Sequence, residues 1–423
     1  MHEPMNAQGA PGALQRATSI AASPAASVFG SAAASSAPPA GARLVSLDAF
    51  RGFTIAAMML VNNPGDWDHV YRQLDHAQWN GWTFTDWIFP FFLFTCGTAM
   101  ALSIERRLGE GSARMTLLRQ FALRAAIIFA IGLTLNFIPA FDLSTLRIPG
   151  VLQRIALCIL LAAPIVLSSP REHWIRLLAW IVALLAAYSL LQLAVPVPGF
   201  DGKVAAGVLE PGRDAGAFVD RFLLGGHLWA TARTWDPEGL VSTLPAVATL
   251  LFGVLAGYWL LASKASAGKA IAMMVAGLAS LAAGSVLDAA LMPINKSLWT
   301  PSYCVFMNGW ALLLFAAFYW LIDGNGSAVV RAQARRWLMP LSIYGMNALF
   351  LFALSGLVGR LLNAGRIARG DGTAVSLKTW LYAPLAALPI DPLLSSVIFA
   401  IAFDLAMFAV AWWMWKKRWF IKV

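Results

Sequence analysis

The chain has 423 residues, 59% of them hydrophobic and 12% charged, with a mean hydropathy of +0.68; soluble domains run at roughly half apolar and a quarter charged. A soluble enzyme is therefore excluded. The formal net charge of +10 would suit a nucleic acid partner, but no basic and aromatic recognition module is present, and the excess has a simpler source in the Lys and Arg islands that mark cytoplasmic loops of membrane proteins.

Residues 1–42 are Ala, Ser, Pro and Gly with few large apolar side chains, ending in SSAPPAGA. They cannot bury enough surface to offset the entropy of ordering, so a disordered tail is expected. It lacks the compact apolar core of a signal peptide. The remainder, residues 43–423, alternates apolar runs of roughly 18 to 25 residues with short polar islands, the length that crosses a hydrocarbon core of about 30 Å.

Ten spans are read, at about 44–62, 84–104, 121–138, 151–168, 174–195, 240–262, 270–292, 304–322, 338–360 and 393–415. The expected fold is an all-α, polytopic membrane helix bundle. An even number puts both termini on one side, and the cations on alternate islands make that side cytoplasmic: Arg106, Arg107, Arg114 and Arg119; Arg171 and Arg176; Lys264 and Lys269; Arg331, Arg335 and Arg336; Lys416, Lys417 and Arg418. Arg366, Arg369 and Lys378 disagree, falling in a segment assigned to the outside, where TWLYAPLAALPI could be a re-entrant or interfacial piece; eleven spans is the alternative. Cys96, Cys158 and Cys304 lie in or beside apolar runs and read as packing residues, not a disulfide framework. Two long outer loops, 63–83 and about 196–239, are candidates for function.

The motifs GxGxxG, GxxxxGK followed by Ser or Thr, HExxH and GxSxG are all missing. Attention passes to polar residues in and beside the apolar helices, where ionisable groups are costly. The densest stretch is residues 46–97. Asp48 and Arg51, three apart on the first span, share a face near its cytoplasmic end, and pair with each other or present Arg51 to an anionic ligand. Asn62 ends that span at the opposite membrane face, and Asp86 enters the next from the same side, as a site residue or as an ordinary helix N-terminal acid. Between them stand His76, Trp79, Asn80 and Gly81. Of the five histidines only His76 lies between an Asp and a turn leading straight into a membrane helix, which suits proton exchange near neutrality; solvation in a loop is the plain alternative. Asp66, Asp68, His69, Asp75 and His76 could be metal ligands by type, but their spacing specifies no geometry, and no metal is expected.

Further on, GVLQRIALC carries Arg154 inside the fourth span, where a guanidinium needs a carboxylate, a carbonyl or an anionic ligand. TWDPEGLVSTLPA brings Glu238 and PINKSLWTPSY brings Lys296 to helix edges, and YGMNALFLF puts Asn347 in the ninth span, as site support or as polar packing between helices.

Taken in order, LDAFRG, the VN that ends the first helix, HAQWNGWTFTDWIFPFFLF, GVLQRIALC, DPEGLVSTLPA, NKSLWT and GMNAL resemble the transmembrane acyltransferase family of heparan-alpha-glucosaminide N-acetyltransferase, over most of the membrane portion. The resemblance implies transfer of an acetyl group from cytosolic acetyl-CoA to an amino sugar or glycan across the membrane, with the histidine before the WNG turn, here His76, as catalyst and the asparagine ending the first helix, here Asn62, beside it. Beside these two, Arg51, Asp48 and Arg154 are assigned to acetyl-CoA binding and Trp79, Asn80, Asp86, Glu238, Lys296 and Asn347 to site support. Two departures stand out. The loop NPGDWDHVYRQLD replaces a shorter glycine and aromatic rich one, which bears on the acceptor; and the tail stands where the animal enzyme has a lumenal domain, so a bacterial-type homologue in the inner membrane, not acting on heparan sulfate, is expected. A homodimer is left open. A solute transporter and an O-acyltransferase of cell-envelope glycan are the competing readings.

Overall fold

A computed structural model describes residues 44–368 and 373–421; the tail expected over 1–42, and Arg369, lie outside the described residues. In chain order the helices are α1 (Val45–Asn62), α2 (Thr85–Gly109), α3 (Arg114–Phe137), α4 (Val151–Ser168), α5 (Trp174–Ala194), α6 (Ala215–Leu224), α7 (Thr243–Leu260), α8 (Ser266–Ala290), α9 (Pro301–Tyr319), α10 (Ala328–Trp337), α11 (Met339–Met346), α12 (Ala348–Ala364), α13 (Leu377–Ala386) and α14 (Pro392–Lys416). Two short antiparallel ribbons, β1 (Val197–Pro198) with β2 (Val204–Ala205) and β3 (Arg366–Ala368) with β4 (Ala374–Ser376), decorate the loops. Among the described residues nine helices are long and apolar enough to cross a membrane, and ten when the bent pair α11 and α12 counts as one span. The chain is an all-α polytopic bundle.

Helix starts follow local chemistry. Thr300 accepts the Tyr303 N–H ahead of Pro301, and Asp391 accepts the Leu393 N–H ahead of Pro392, so α9 and α14 each begin with a side-chain cap and a proline at the first helical position. The ninth expected span is broken: α11 and α12 meet at 81°, with Asn347 between them. The Asn347 amide donates to the Trp419 carbonyl (3.0 Å) and its oxygen accepts from the Ile421 N–H (2.9 Å), clasping the segment after α14. The apolar stretch behind the eleven-span alternative forms α13, whose 10 residues extend only about 15 Å, half of what a crossing needs.

An inner set of helices is apolar all round, and an outer set sheds its apolar side toward lipid. The apolar windows of α1, α2, α4 and α7 are 61–78% buried within the chain, those of α3, α5, α8 and α14 only 22–33%. Lipid tails are as apolar as leucine, so inner helices gain by close backbone approach. Gly52 on α1 faces the Leu341 carbonyl of α11, and Gly345 on α11 faces the Asp48 carbonyl; Gly97 on α2 and Gly253 on α7 make the same reciprocal contact with the Leu250 and Phe94 carbonyls.

The helix ends that carry the basic islands are tied together. Tyr258 Oη donates to the Ser169 carbonyl and Arg171 to the Leu261 carbonyl, while Asp323 accepts from the Ser46 N–H and from Arg335. Asn62 and the loop after it belong to the other end. A side chain at Gly52 would overlap the α11 backbone itself, so Gly52→Val is expected to cost about 3 kcal/mol, read as a large fall in the thermal unfolding temperature of detergent-solubilised protein, with the exposed Gly109→Val as the neutral control.

Candidate active site

The loop from Asn63 to Phe84 is pinned by its own side chains. The Gln73 side chain accepts from the Phe84 N–H, the Thr83 hydroxyl donates to the Asp75 carbonyl (2.5 Å), and Gly65 donates to the Ser396 carbonyl of α14. The loop returns to the membrane at Asp86, which is 1% exposed. One carboxylate oxygen accepts from the Thr83 N–H (2.9 Å) and the Ala77 N–H (3.1 Å), and the other meets His76 Nδ1 at 2.6 Å. A carboxylate can only accept, so Nδ1 carries a ring hydrogen, and in the neutral ring the lone pair lies on Nε2. The His76 side chain remains 46% exposed. Tyr303 Oη on α9 donates to the Asp86 backbone carbonyl (2.6 Å), fixing the first turn of α2 from behind.

The turn after His76 docks on the loop before α9. Gly81, with φ +97°, donates its N–H to the Ile294 carbonyl (2.7 Å), and Asn295 donates to the Asn80 side-chain oxygen (3.2 Å). Trp79 donates to the Leu209 carbonyl and packs edge-on against Trp235, which in turn meets Trp229. The segments holding Asn80, Gly81 and Asn295 are thus brought together from distant parts of the chain.

A layer of charge lies beside this group. Arg147 makes a bidentate pair with Asp236 (2.8 and 2.6 Å) and reaches Glu238 (2.6 Å); Lys296 stands 3.9 Å from Glu238. Burial alone would raise the Glu238 carboxyl, but the charges of Lys296, Arg147 and Arg154 outweigh it and hold the group below the usual range. Asp220 on α6 accepts the Leu240 N–H (2.8 Å) and steadies the same turn; burial lifts its carboxyl to about 7, with Asp236 adding to the rise. Arg154, 1% exposed, has no carboxylate partner among the described residues: it donates to the Gly239 carbonyl (2.9 Å) and the Ser242 hydroxyl and lies over the Trp299 ring at 5.2 Å. Its Nε and second terminal nitrogen have no partner.

A cavity of about 720 Å³ opens beside this layer. Its wall includes Asn62, Asn136, Arg147, Gln153, Arg360 and Lys378, with Trp67 and Trp229. Among the described residues no carboxylate lines it. His76 is not among the lining residues, so of the two residues singled out most strongly by the resemblance only Asn62 faces it.

Of the residues selected from sequence, His76, Asp86, Trp79 and Asn80 form one group, and Glu238, Lys296 and Arg154 the adjoining charge layer. Asp48 and Arg51 pair at 2.5 Å on the far part of α1; eleven residues separate Arg51 from Asn62, about 16 Å of helix. Asn347 also lies away from His76, holding the C-terminal segment. Asp66 pairs with His69 at 2.7 Å while His76 turns to Asp86, and among the described residues no three His, Cys, Asp or Glu side chains converge on one point. Sequence reading passed over Arg147, Asp236, Gln153, Asn136 and Arg360. Lys378, which contradicted the charge rule for outer loops, is buried near Trp67, 5.7 Å from its ring. Its position on the cavity wall accounts for an exception that topology alone does not.

Residues 43–284 match the family model described as heparan-alpha-glucosaminide N-acetyltransferase, catalytic. The human protein named heparan-alpha-glucosaminide N-acetyltransferase is 30% identical over 338 residues, covering 67% of this chain and 49% of the human one; the mouse protein of that name is 28% identical over 335 residues, covering 67% and 50%. The match thus spans about half the length of these curated relatives. The region matched by the family model contains His76, Asp86, Arg147, Arg154 and Glu238 and stops short of Lys296, Arg360 and Lys378.

Two outcomes follow from the charge layer. Arg147→Met leaves Asp236 and Glu238 buried beside each other and is expected to cost about 3 kcal/mol, measured by thermal unfolding. For Asp220 the folded carboxyl titrates above its unfolded value, so its contribution is complete in acid and is lost as the pH rises from about 4 to about 7. Asp220→Asn should therefore gain stability relative to the parent chain as unfolding is repeated from about pH 5 to about pH 7; an unchanged difference would refute the assignment.

Proposed function

The chain belongs to the heparan-alpha-glucosaminide N-acetyltransferase family, and from that premise we propose that it transfers an acetyl group from acetyl-CoA to the amine of a sugar at the Asn62 end of the bundle. The observation that carries the reading is the hydrogen bond from His76 Nδ1 to the buried carboxylate of Asp86. It orients the ring, leaves Nε2 as the basic atom, and stabilises the imidazolium that forms when Nε2 takes a proton.

In this mechanism His76 Nε2 removes a proton from the sugar amine as its nitrogen attacks the thioester carbonyl carbon. A C–N bond forms, the C–S bond breaks, and the imidazolium returns the proton to the departing sulfur, so CoA leaves as a thiol. Asn62, exposed at the end of α1, donates its amide N–H to the developing oxyanion; removing such a donor elsewhere costs roughly 3 to 4 kcal/mol. An acyl-imidazole on Nε2 is the two-step version, in which CoA is released before any acceptor is added. The nucleotide of CoA is too polar to enter hydrocarbon. Arg51, whose Nε is buried without a partner, and the basic helix ends are suited to hold its phosphates, and the stretch of α1 from Arg51 to Asn62 is of a length that an extended pantetheine arm covers. In this reading the donor binds on the cytoplasmic side and the acceptor outside.

Proteoliposomes loaded with acetyl-CoA and given an external amino sugar test the reading. His76→Ala should keep CoA binding and lose acetyl transfer. Asp86→Asn retains an oxygen for the Thr83 and Ala77 N–H groups but turns an N–H toward the ring, forcing the other tautomer, and should lower kcat by roughly 10³- to 10⁴-fold. Full activity in either variant sinks the assignment. An alkali-labile product would indicate an ester and an O-acyltransferase, and sugar uptake without acyl donor would indicate a transporter.

A further inference from the structure

Outside the His76 group, α3 and α12 enclose a second feature, an apolar groove of about 440 Å³ walled by Ile127, Ile131, Leu135, Leu354 and Leu357 with Thr134. The Thr134 hydroxyl is turned back onto the Ala130 carbonyl, so it presents no free donor. The wall on α3 runs from Ile127 to Ile138, about 16 Å along the axis, close to the depth of one leaflet of a hydrocarbon core of about 30 Å. It lies in the half of α3 nearer the Asn62 end. Leu135 lines both this groove and the 720 Å³ cavity, so the two adjoin across that side chain.

Arg360 lines the cavity one turn beyond Leu357, the last groove residue on α12. It donates to the Gly356 carbonyl (3.1 Å) and to the Asn136 side-chain oxygen (3.2 Å), and Gly356 itself abuts Leu135. Arg147, in the same cavity, is neutralised by Asp236 and Glu238. Among the described residues Arg360 has no carboxylate partner and no carboxylate lines the cavity. An uncompensated guanidinium at the edge of hydrocarbon is costly unless an anion meets it. Gln153, 3% exposed, also lines the cavity with its amide nitrogen unpartnered.

A leaflet-deep apolar groove, a cation at its mouth and a polar chamber leading to Asn62 together match one kind of molecule. We propose that the groove and Arg360 form a binding site for a sugar carried on a long-chain alkyl or isoprenyl phosphate: the chain lies between α3 and α12, the phosphate meets Arg360, and the sugar occupies the cavity. As an acceptor site this rests on the acetyl transfer reading above; as a binding site it does not. Bulk phospholipid fits the groove but leaves the chamber unused, whereas a lipid-linked amino sugar would deliver its amine to the Asn62 end.

The test uses the full chain in detergent and a photoreactive farnesyl phosphate, with labelled peptides identified by mass spectrometry. Labelling is expected on α3 and α12, reduced at least fivefold by Arg360→Gln and less by Arg360→Lys. A farnesyl phosphate ester of glucosamine should displace the label at least tenfold better than phosphatidylglycerol. Equal displacement by phosphatidylglycerol, label confined to other helices, or full labelling of Arg360→Gln would overturn the proposal. With acetyl-CoA present, the KM for the farnesyl-linked amine should lie at least tenfold below that for glucosamine 1-phosphate. Equal KM values would overturn the carrier role and leave acetyl transfer intact. Acetylation of neither amine, with specific labelling retained, would sink the transfer reading and leave this binding site standing.

Discussion

The Asp86 carboxylate is the point on which the Asn62 end of the bundle depends. Sitting in the first turn of a membrane helix, it is almost wholly shut off from water, where a carboxylate is tolerated only when its lone pairs are met. The chain meets them from a single loop: Thr83 and Ala77 offer backbone N–H groups and His76 offers a ring N–H. The same contacts that make the acid tolerable therefore wrap the loop around it and set the imidazole in one tautomer. Structure and proposed chemistry share one cause.

The neighbouring charge layer follows the same economy at larger scale. Arg147, Asp236, Glu238 and Lys296 come from three separate loops, and none would be stable alone at this depth. Breaking any pair leaves a buried charge, so the loops before α4, α7 and α9 are held in mutual register by the need for neutrality. Arg154 resolves its own burial differently, with a carbonyl, a hydroxyl and an indole face, a weakly hydrated cation spread over several partial charges. Against that background the buried groups left without partners among the described residues, those on Gln153, Arg154 and Arg51 among them, stand out.

The framework beneath is set by packing of a different kind. Reciprocal glycines at the α1–α11 and α2–α7 crossings bring backbones together where lipid supplies no hydrophobic drive, and the inner helices they join carry the residues of the candidate site. The outer helices are held less tightly. An apolar groove remains between α3 and α12, and Gly356 on α12 leaves space beside Arg360.

How much of this was legible beforehand differs by level. Nine of the ten spans read from hydropathy correspond to continuous helices, because the length of an apolar run is dictated by bilayer thickness and needs no knowledge of neighbours. The ninth was legible as apolar but not as broken: the 81° bend falls at Asn347, which bonds to backbone more than seventy residues away. Lys378 read as a topological exception, and only its burial on the cavity wall accounts for it. His76 and Asp86 could each be picked out as costly or titratable groups, yet ten residues apart in a loop of irregular backbone they have no periodicity that predicts a 2.6 Å contact. Arg147 carried no signal, and Arg360 carried only that of a cation at the end of the ninth span; that one meets carboxylates and the other meets none among the described residues depends on which segments lie opposite. The sequence by itself determined the class, the spans and the residue types available for chemistry, all consequences of one-dimensional patterning against a bilayer. Which charges are cancelled, which are left open and which cavity they face was decided by tertiary structure alone, because neutrality is a property of pairs in space.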